Sequence, residues 1–199
     1  MARPREFDVD EALRAAMEAF WERGYAATSM VDLLEATGLR KGSLYKAFRS
    51  KHALFARALE RYLDDAYARM RDALEGAASA EEGLRRWLEL VLGLCAGDGR
   101  RGCLALNSAV ELGPHDEATA ARLREHFGRV EELLARTIAR GQERGELRSD
   151  RSPRHLAEVL FLLAEGMIAR SKCTRTPGRT RRCAELALEI VTRTSNPWP

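Results

Sequence analysis

The chain has 199 residues, of which 45% are hydrophobic and 32% charged, a balance typical of a water-soluble protein with an ordered core. Its first residues are charged and precede no apolar run, which argues against a signal peptide, and no apolar stretch approaches the roughly 18 residues of a membrane span. The net charge of +3 does not by itself indicate nucleic acid. A cytoplasmic protein without a membrane partner is expected.

Almost every segment has a helical pattern, because Ala, Leu, Glu and Arg dominate and runs of alternating β-branched residues are missing. The pattern predicts an all-α fold of about nine helices. They are expected at residues 8–24, 29–38, 41–48, 51–74, 81–95, 103–113, 114–144, 153–173 and 181–194, with loops at 97–102 and 174–180. Residues 1–52 are expected to form a small N-terminal domain and residues 53–199 a larger helical domain.

The second and third expected helices are short and are joined by a turn at 37–40 that contains Gly38. A short helix, a glycine-containing turn and another short helix match a helix-turn-helix. Leu44 and Phe48 lie about 40° apart on the third helix at roughly 100° per residue, so both face inward. The outer face is left to small and polar residues, as a helix inserted in the major groove needs. These are Gly42, Ser43, Tyr45 and Lys46.

The charge distribution favours contact with nucleic acid. No Asp or Glu occurs between Ala36 and Leu59, whereas this window holds several Lys and Arg residues, the electrostatic footprint of a phosphate-binding surface. A solvated basic face on an ordinary helical hairpin is the alternative. The residues expected to contact DNA are Ser29, Arg40, Lys41, Gly42, Ser43, Tyr45, Lys46 and Lys51.

The run from FDVDEALRAAMEAFWERGYAATSM through VDLLEATGLRKGSLYKAFRSKHALFARAL resembles the DNA-binding domain of the tetracycline-repressor (TetR) family. The resemblance covers about the first quarter to third of the chain. Two positions depart from the family pattern. Arg40 stands where a capping Ser or Thr is common, and Ala47 stands where a His or another long polar residue is common. More of the expected DNA contact therefore falls on Ser43 and Lys46.

The resemblance implies a homodimeric repressor whose two recognition helices bind a near-palindromic, double-stranded DNA operator. It also implies that the larger domain holds a small-molecule inducer, whose identity is unknown, and that the last two helices form the dimer interface. Each of these helices has one apolar stripe that suits either the interface or the core of a single chain. The stripes are Leu156, Val159, Leu160, Leu163 and Met167, and then Cys183, Ala184, Ala187, Leu188 and Val191.

Cys103 follows Arg100, Arg101 and a glycine at the expected start of a helix, and helix amides with nearby cations stabilise a thiolate. Some TetR-type regulators with a similar Gly-Cys-Leu segment sense reactive electrophiles or oxidants through that cysteine. The resemblance therefore implies an alternative function, an electrophile-sensing or oxidant-sensing repressor that acts through Cys103. Lys172, near the end of the penultimate helix, is a candidate neighbour of this cysteine. A small packed residue is the other interpretation. Cys95, Cys173 and Cys183 are interpreted as reduced packing residues.

Trp87, Asn107 and Glu111 are further candidates for the wall of an inducer pocket, with packing or surface exposure as the alternative for each. The surrounding Leu, Met and aromatic residues favour an apolar ligand. The chain has no Ser/His/Asp order, no phosphate-binding glycine loop and no metal-ligand spacing, so no enzyme, cofactor or metal site is expected. A helical module that binds a partner other than DNA is the remaining alternative class.

Overall fold

The computed structural model describes residues 8–96, 101–174 and 176–192. Within these ranges the chain is all-α, as predicted, and forms nine helices. In chain order they are α1 (Val9–Arg23), α2 (Met30–Thr37), α3 (Lys41–Phe48), α4 (Lys51–Glu75), α5 (Ala80–Ala96), α6 (Leu104–Glu111), α7 (Glu117–Glu143), α8 (Pro153–Ser171) and α9 (Pro177–Thr192).

Three of the first four helices begin at a short polar side chain that pairs with amides of the first turn. Asp8 caps α1 and Ser50 caps α4. At α2, Ser29 and Asp32 form a reciprocal capping box, in which the Ser29 hydroxyl accepts from the Asp32 amide and the Asp32 carboxylate accepts from the Ser29 amide. The exception is α3, whose N-cap Arg40 makes no side-chain capping bond.

Helices α2 and α3 form the helix-turn-helix that the sequence predicts. Gly38 ends α2 in the left-handed region at φ 65°, which glycine adopts at little cost. Leu33 of α2 and both Leu44 and Phe48 of α3 are buried in one core with α1. The inward side of α3 is thus the predicted one, and its other side is left free.

Helix α4 belongs to two hydrophobic cores. Its first half packs with α1 to α3, where the rings of Phe20 and Phe55 meet edge to face with centroids 5.2 Å apart. Its end contributes Leu74 to a larger core built with α5, α7, α8 and α9. Helix α6 lies between them, since Leu104 and Ala105 pack in the first core and Leu106 against the second.

Two helix starts differ from the sequence prediction. We expected a helix from Pro114, but α7 begins at Glu117, because Asp116 caps it and accepts bonds from the amide and hydroxyl of Thr119 at 3.1 and 2.9 Å. Residues 174–180 were predicted to be a loop, yet α9 begins at Pro177, a residue suited to a first turn. Residues 97–100 of the other predicted loop, and the predicted helix end at 194, lie outside the described residues.

The apolar stripes predicted on α8 and α9 divide between the core and the surface. Most of the α9 stripe is buried within the chain, although Cys183 is exposed. On α8, Leu156, Leu160 and Met167 are buried while Val159 and Leu163 are exposed. None of the described helices combines the length and apolar character of a membrane span. The large apolar side chains that α8 and α9 expose are Val159, Leu162, Leu163, Leu186 and Ile190.

Candidate DNA-binding surface and internal cavity

The outer face of α3 has the form of a surface for the major groove. Gly42, Tyr45 and Lys46 are exposed and Ser43 is half-buried. A β-carbon added at Gly42 would have no neighbour within 4 Å, so glycine here satisfies no packing need of the free chain. Its absent side chain leaves room for a close approach from outside, and the neighbouring hydroxyl and ammonium groups can reach base edges or phosphates.

The positive charges around α3 are not neutralised within the protein. Arg40, Lys41, Lys46 and Arg49 form no ion pair with any acid in the part of the chain that the structure describes. Arg49, which follows α3, has φ 64°, a conformation that costs a residue with a side chain about 1 kcal/mol or more. An arginine at such a position, where glycine would relieve the strain, points to a use for its charge.

Two of the expected DNA contacts have other partners in the free chain. The Ser29 hydroxyl accepts from the Asp32 amide at 3.1 Å, which leaves its own hydrogen free to donate to a phosphate. The Lys51 ammonium lies 4.4 Å from the centre of the Tyr25 ring, a cation–π contact at the start of α4. Lys51 therefore has to leave this ring, or share its charge, if it is to bind a phosphate.

A narrow cavity of about 50 Å³ lies between α4, α5, α6, α7 and α8. Of the three candidate wall residues, Trp87 lines this cavity, whereas Asn107 and Glu111 do not. Asn107 links the segment before α6 to the end of α8: its amide donates to the Arg101 carbonyl at 2.7 Å, and its oxygen accepts from the Lys172 ammonium at 2.7 Å. The rest of the wall is largely apolar and includes Met70, Val91, Leu94, Phe127, Phe161 and Ile168.

Cys103 also lines the cavity, at the N-cap position of α6. Its half-buried sulfur accepts a hydrogen bond from the Tyr62 hydroxyl at 3.4 Å. Burial raises the pKa of Tyr62 well above its usual value, so this hydroxyl keeps its proton and remains a donor. The Tyr62 ring in turn meets the Trp21 ring edge to face at 4.9 Å, and the Trp21 indole donates to the Gly102 carbonyl at 3.0 Å.

The structure describes two of the three cations expected near Cys103. The Arg101 guanidinium lies over the Trp21 ring, 4.4 Å from its centre, and pairs with Glu18. Arg100 lies outside the described residues. The aliphatic stem of Lys172 lies beside Gly102, and its ammonium binds Asn107.

The other cysteines correct part of the packing interpretation. All four cysteines are free, and Cys95 is half-buried, where burial raises the pKa of its thiol. Cys173 and Cys183 are exposed on the single chain, so packing within this chain does not account for them. Cys183 lies on the side of α9 that also exposes Leu186 and Ile190.

Glu111 connects α6 to the DNA-binding helices. Its carboxylate accepts hydrogen bonds from the backbone amides of Tyr25 and Ala26 at 2.9 and 2.7 Å, in the turn between α1 and α2. Its oxygen also lies so close to Gly24 that a β-carbon there would be 2.9 Å away. A second connection joins His52 of α4 to Asp116, with 2.5 Å between nitrogen and oxygen.

Several residues of this arrangement were not singled out from the sequence. Trp21, Tyr25 and Tyr62 were not among the candidate residues, and neither was His126 of the cavity wall. The Glu111 contacts span 85 and 86 residues, so no local pattern could indicate them. For Tyr62 and Trp21, the combination of a polar tip and an inward helical position was a usable signal.

Helices α2 and α3 pack on one core and expose a basic face, and a small cavity lies between α4, α5, α6, α7 and α8. Together these features define a helix-turn-helix regulator of transcription. The chain matches the family model for bacterial regulatory proteins of the tetR family at residues 12–58. It also matches the tetracyclin repressor-like C-terminal domain at residues 80–187. The chain belongs to the TetR family of transcriptional regulators.

Named relatives agree with this assignment. The HTH-type transcriptional repressor ComR of Escherichia coli strain K12 is 32% identical over 199 residues, which cover 99% of this chain and 91% of ComR. A cysteine mutant of the TetR family regulator CifR, solved in complex with 26-base-pair double-strand operator DNA, is 35% identical with a TM-score of 0.84. That match covers 96% of this chain and all of the CifR chain.

The fold also matches that of a more distant regulator. The reduced form of NemR from E. coli superposes with a TM-score of 0.84 at 23% identity, over 94% of this chain and 98% of that chain. At this identity the likeness shows the shared fold.

Proposed function

We propose that this protein is a ligand-responsive transcriptional repressor. It binds a near-palindromic operator as a homodimer and releases it when a small molecule occupies the cavity. Gly42, Ser43, Tyr45 and Lys46 contact the DNA from α3, and Arg40, Lys41 and Arg49 contribute phosphate contacts. The exposed, unpaired charge around α3 supports the DNA-binding part.

The position of α6 is the observation that carries the ligand-responsive part. At its start, Cys103 and Leu106 line the cavity, and at its end the Glu111 carboxylate holds the turn between α1 and α2. A ligand that moves α6 must therefore disturb the support of the DNA-binding helices. Such a ligand shifts the protein between states only through its different affinity for them.

The exposed apolar face of α8 and α9 supports the homodimer. Leu162 and Leu186 expose more than half of their surface, and Val159, Leu163 and Ile190 lie on the same two helices. Large apolar side chains concentrated on two adjacent helices mark an interaction surface. A two-fold axis through this face would pair each α8 and α9 with its copy.

Operator binding by the full chain tests the DNA-binding part. Wild type and Lys46→Ala are titrated against the DNA upstream of the chain's own coding region in a gel-shift assay at moderate salt. We expect about a tenfold loss of affinity for Lys46→Ala, because one groove contact per protomer is removed. Arg154→Ala, which removes the same charge from an exposed site on α8, should bind as wild type does. Equal binding by all three proteins contradicts the assignment.

A second candidate function is an electrophile-sensing or oxidant-sensing repressor that acts through Cys103. The specific observation is the hydrogen bond from Tyr62 to the sulfur, at the edge of the cavity and next to Trp21 of α1. When the sulfur displaces iodide from iodoacetamide, a sulfur–carbon bond forms and the thiol proton passes to solvent. The new substituent displaces Tyr62, which disturbs the packing of α1.

Iodoacetamide treatment followed by operator titration tests this candidate. Alkylated wild type is expected to lose operator affinity, while Cys103→Ser keeps it after the same treatment. Cys173→Ser removes an exposed thiol that follows α8 and should respond as wild type does. If Cys103→Ser releases the operator after treatment as readily as wild type, Cys103 is not the sensor.

A further inference from the structure

Two residues that line the cavity each have a buried nitrogen atom without a hydrogen-bond partner among the described residues. Trp87 and His126 both line the cavity, with 1% and 4% of their surface exposed. The indole nitrogen of Trp87 and the Nδ1 atom of His126 are buried and have no partner anywhere in residues 8–96, 101–174 and 176–192. A buried polar group without a partner costs free energy, typically about 1–3 kcal/mol. A molecule that pairs with these atoms recovers that cost on binding.

The Trp87 indole restricts what can pair with it. An indole N–H only donates, so its partner must offer an acceptor such as a carbonyl or ether oxygen. An apolar ligand alone would fill the cavity and leave the N–H unpaired. The imidazole of His126 is less selective, because neutral imidazole has one donor and one acceptor nitrogen.

The charges around the cavity disfavour an anion. Burial, with help from Arg129, lowers the pKa of His126 to about 4, so its ring is neutral near pH 7. The Arg129 guanidinium lies over the Tyr67 ring, 4.2 Å from its centre. Glu165 is the one carboxylate in the cavity wall among the described residues, and burial followed by repulsion from Glu131 raises its pKa. Among the described lining residues, the wall therefore has no positively charged group to pair with an anion, and its one carboxylate would repel an anion.

The volume of the cavity limits the size of the ligand. At about 50 Å³ it is several times the roughly 10–15 Å³ that one water needs. Without expansion, it admits a compact molecule of about four to six non-hydrogen atoms.

We propose that this cavity binds a compact, uncharged and mainly apolar molecule whose hydrogen-bond acceptor pairs with the Trp87 indole. The ligand class deepens the proposed function and rests on it, because the same cavity is taken there as the inducer site. Trp87 and His126 select for the acceptor, and the apolar wall selects for the rest of the molecule.

A series of probes with similar skeletons tests the ligand class on the full chain. The probes are butan-2-one, in which the acceptor is present, and 2-methylbut-1-ene, in which a CH₂ group replaces the carbonyl oxygen. Butan-2-amine carries a positive charge and 2-methylpropanoate a negative charge. Binding is followed by the Trp87 indole N–H resonance in ¹H–¹⁵N spectra, assigned by its loss in Trp87→Phe.

We expect butan-2-one to shift this resonance and to bind at least tenfold more tightly than the alkene and both charged probes. In Trp87→Phe, measured by thermal denaturation with ligand present, the preference for the ketone over the alkene should disappear. In Phe161→Leu, which changes an apolar part of the wall, the preference should remain. Tighter binding of the alkene, the amine or the carboxylate overturns the proposal, and so does an unshifted Trp87 resonance at saturating ketone.

Operator titration in the presence of butan-2-one separates this proposal from the proposed function. If the ketone binds at Trp87 but operator affinity is unchanged, the ligand class stands and inducer action at this cavity fails. If the ketone does not bind while the protein still binds operator through α3, the ligand class is wrong and the DNA-binding assignment stands.

Discussion

His126 is an ionisable side chain held in an apolar wall, and its burial makes stability depend on pH. Because the pKa of His126 is lowered to about 4 in the folded chain, against about 6.5 in an unfolded one, the unfolded state binds the proton first. The stabilising effect of the neutral ring is fully present above pH 6.5 and is lost as the pH falls from 6.5 to 4. We expect proton uptake by His126 in the unfolded state to lower the free energy of unfolding by about 2 kcal/mol between pH 7 and pH 4.5.

Urea denaturation of wild type and His126→Leu at pH 7 and 4.5 measures this contribution. The variant should lose about 2 kcal/mol less than wild type over that interval, since it has no proton to take up. His155→Leu removes an exposed histidine on α8 and should lose as much stability as wild type does. Parallel losses in wild type and His126→Leu contradict a buried neutral imidazole.

Arg40 opens α3 without capping it, so a residue that caps should strengthen the helix. Arg40→Ser can accept from a first-turn amide and should stabilise the chain by about 1 kcal/mol in urea denaturation. The same change removes a free positive charge beside the DNA-binding face. We therefore expect the slope of operator affinity against salt concentration to become shallower by about one per protomer.

Arg40→Ala separates these two effects of Arg40. Alanine removes the charge without adding a cap, so the salt slope should change as in Arg40→Ser while stability does not rise. If both variants keep the wild-type salt slope, Arg40 contacts no phosphate.

Local patterns predicted the side chains of α3 well, because helical spacing alone places Leu44 and Phe48 inward. The position of Trp87 in the cavity wall also agrees with expectation. By contrast, the role of Glu111 depends on a turn 85 residues earlier in the chain, and that of Arg101 on α1. Such contacts follow from the position of α6 at the edge of the first core, which no periodicity in the sequence encodes.

Helix starts also divide into those that the local sequence predicts and those that it does not. Ser29 and Ser50 marked the starts of α2 and α4 correctly, since a capping residue directly precedes each apolar pattern. For α7, Pro114 was chosen over Asp116, although the capping side chain decides where the free amides are satisfied. Apolar stripes on α8 and α9 predicted helices but not their partners, because periodicity cannot tell an internal face from an interface.

The exposed apolar face of α8 and α9 gives a prediction at this scale. The double variant Leu162→Glu/Leu186→Glu places charges on that face and should be monomeric in analytical ultracentrifugation at concentrations where we expect wild type to be a dimer. Both side chains are exposed, so the helical circular dichroism spectrum should not change. Operator affinity should fall by more than tenfold, because two linked recognition helices bind more tightly than one.

Val110→Glu is the matched control for the double variant. Val110 is 76% exposed on α6, away from α8 and α9, so the charged variant should remain dimeric. If the double variant stays dimeric while Val110→Glu does not, the interface lies elsewhere.

The whole molecule is two cores that share α4 and are linked through α6. Its polar contacts include Glu111 with the amides of the turn between α1 and α2, the Trp21 indole with the Gly102 carbonyl, Arg101 with Glu18, and His52 with Asp116. Since α6 also borders the cavity, a change there reaches the DNA-binding helices without a change in α3 itself. Loss of one of these contacts should therefore destabilise helices α1 to α3 more than the larger core of α5, α7, α8 and α9.

Glu111→Ala removes the link with two hydrogen bonds and should leave the half-buried Tyr25 amide and the exposed Ala26 amide without their acceptor. We expect hydrogen exchange to become faster across α1 to α3, by about tenfold, while amides of α5 and α7 to α9 keep their rates. Operator affinity should fall several-fold, because the two helices of the helix-turn-helix are held less firmly.

Glu111→Gln keeps one carbonyl acceptor for the turn, and its exchange rates and operator affinity should lie between those of the alanine variant and wild type. Val110→Ala changes the neighbouring exposed residue and should match wild type in both measurements. Equal acceleration of exchange in both cores of Glu111→Ala would indicate general destabilisation and contradict a link specific to the DNA-binding helices.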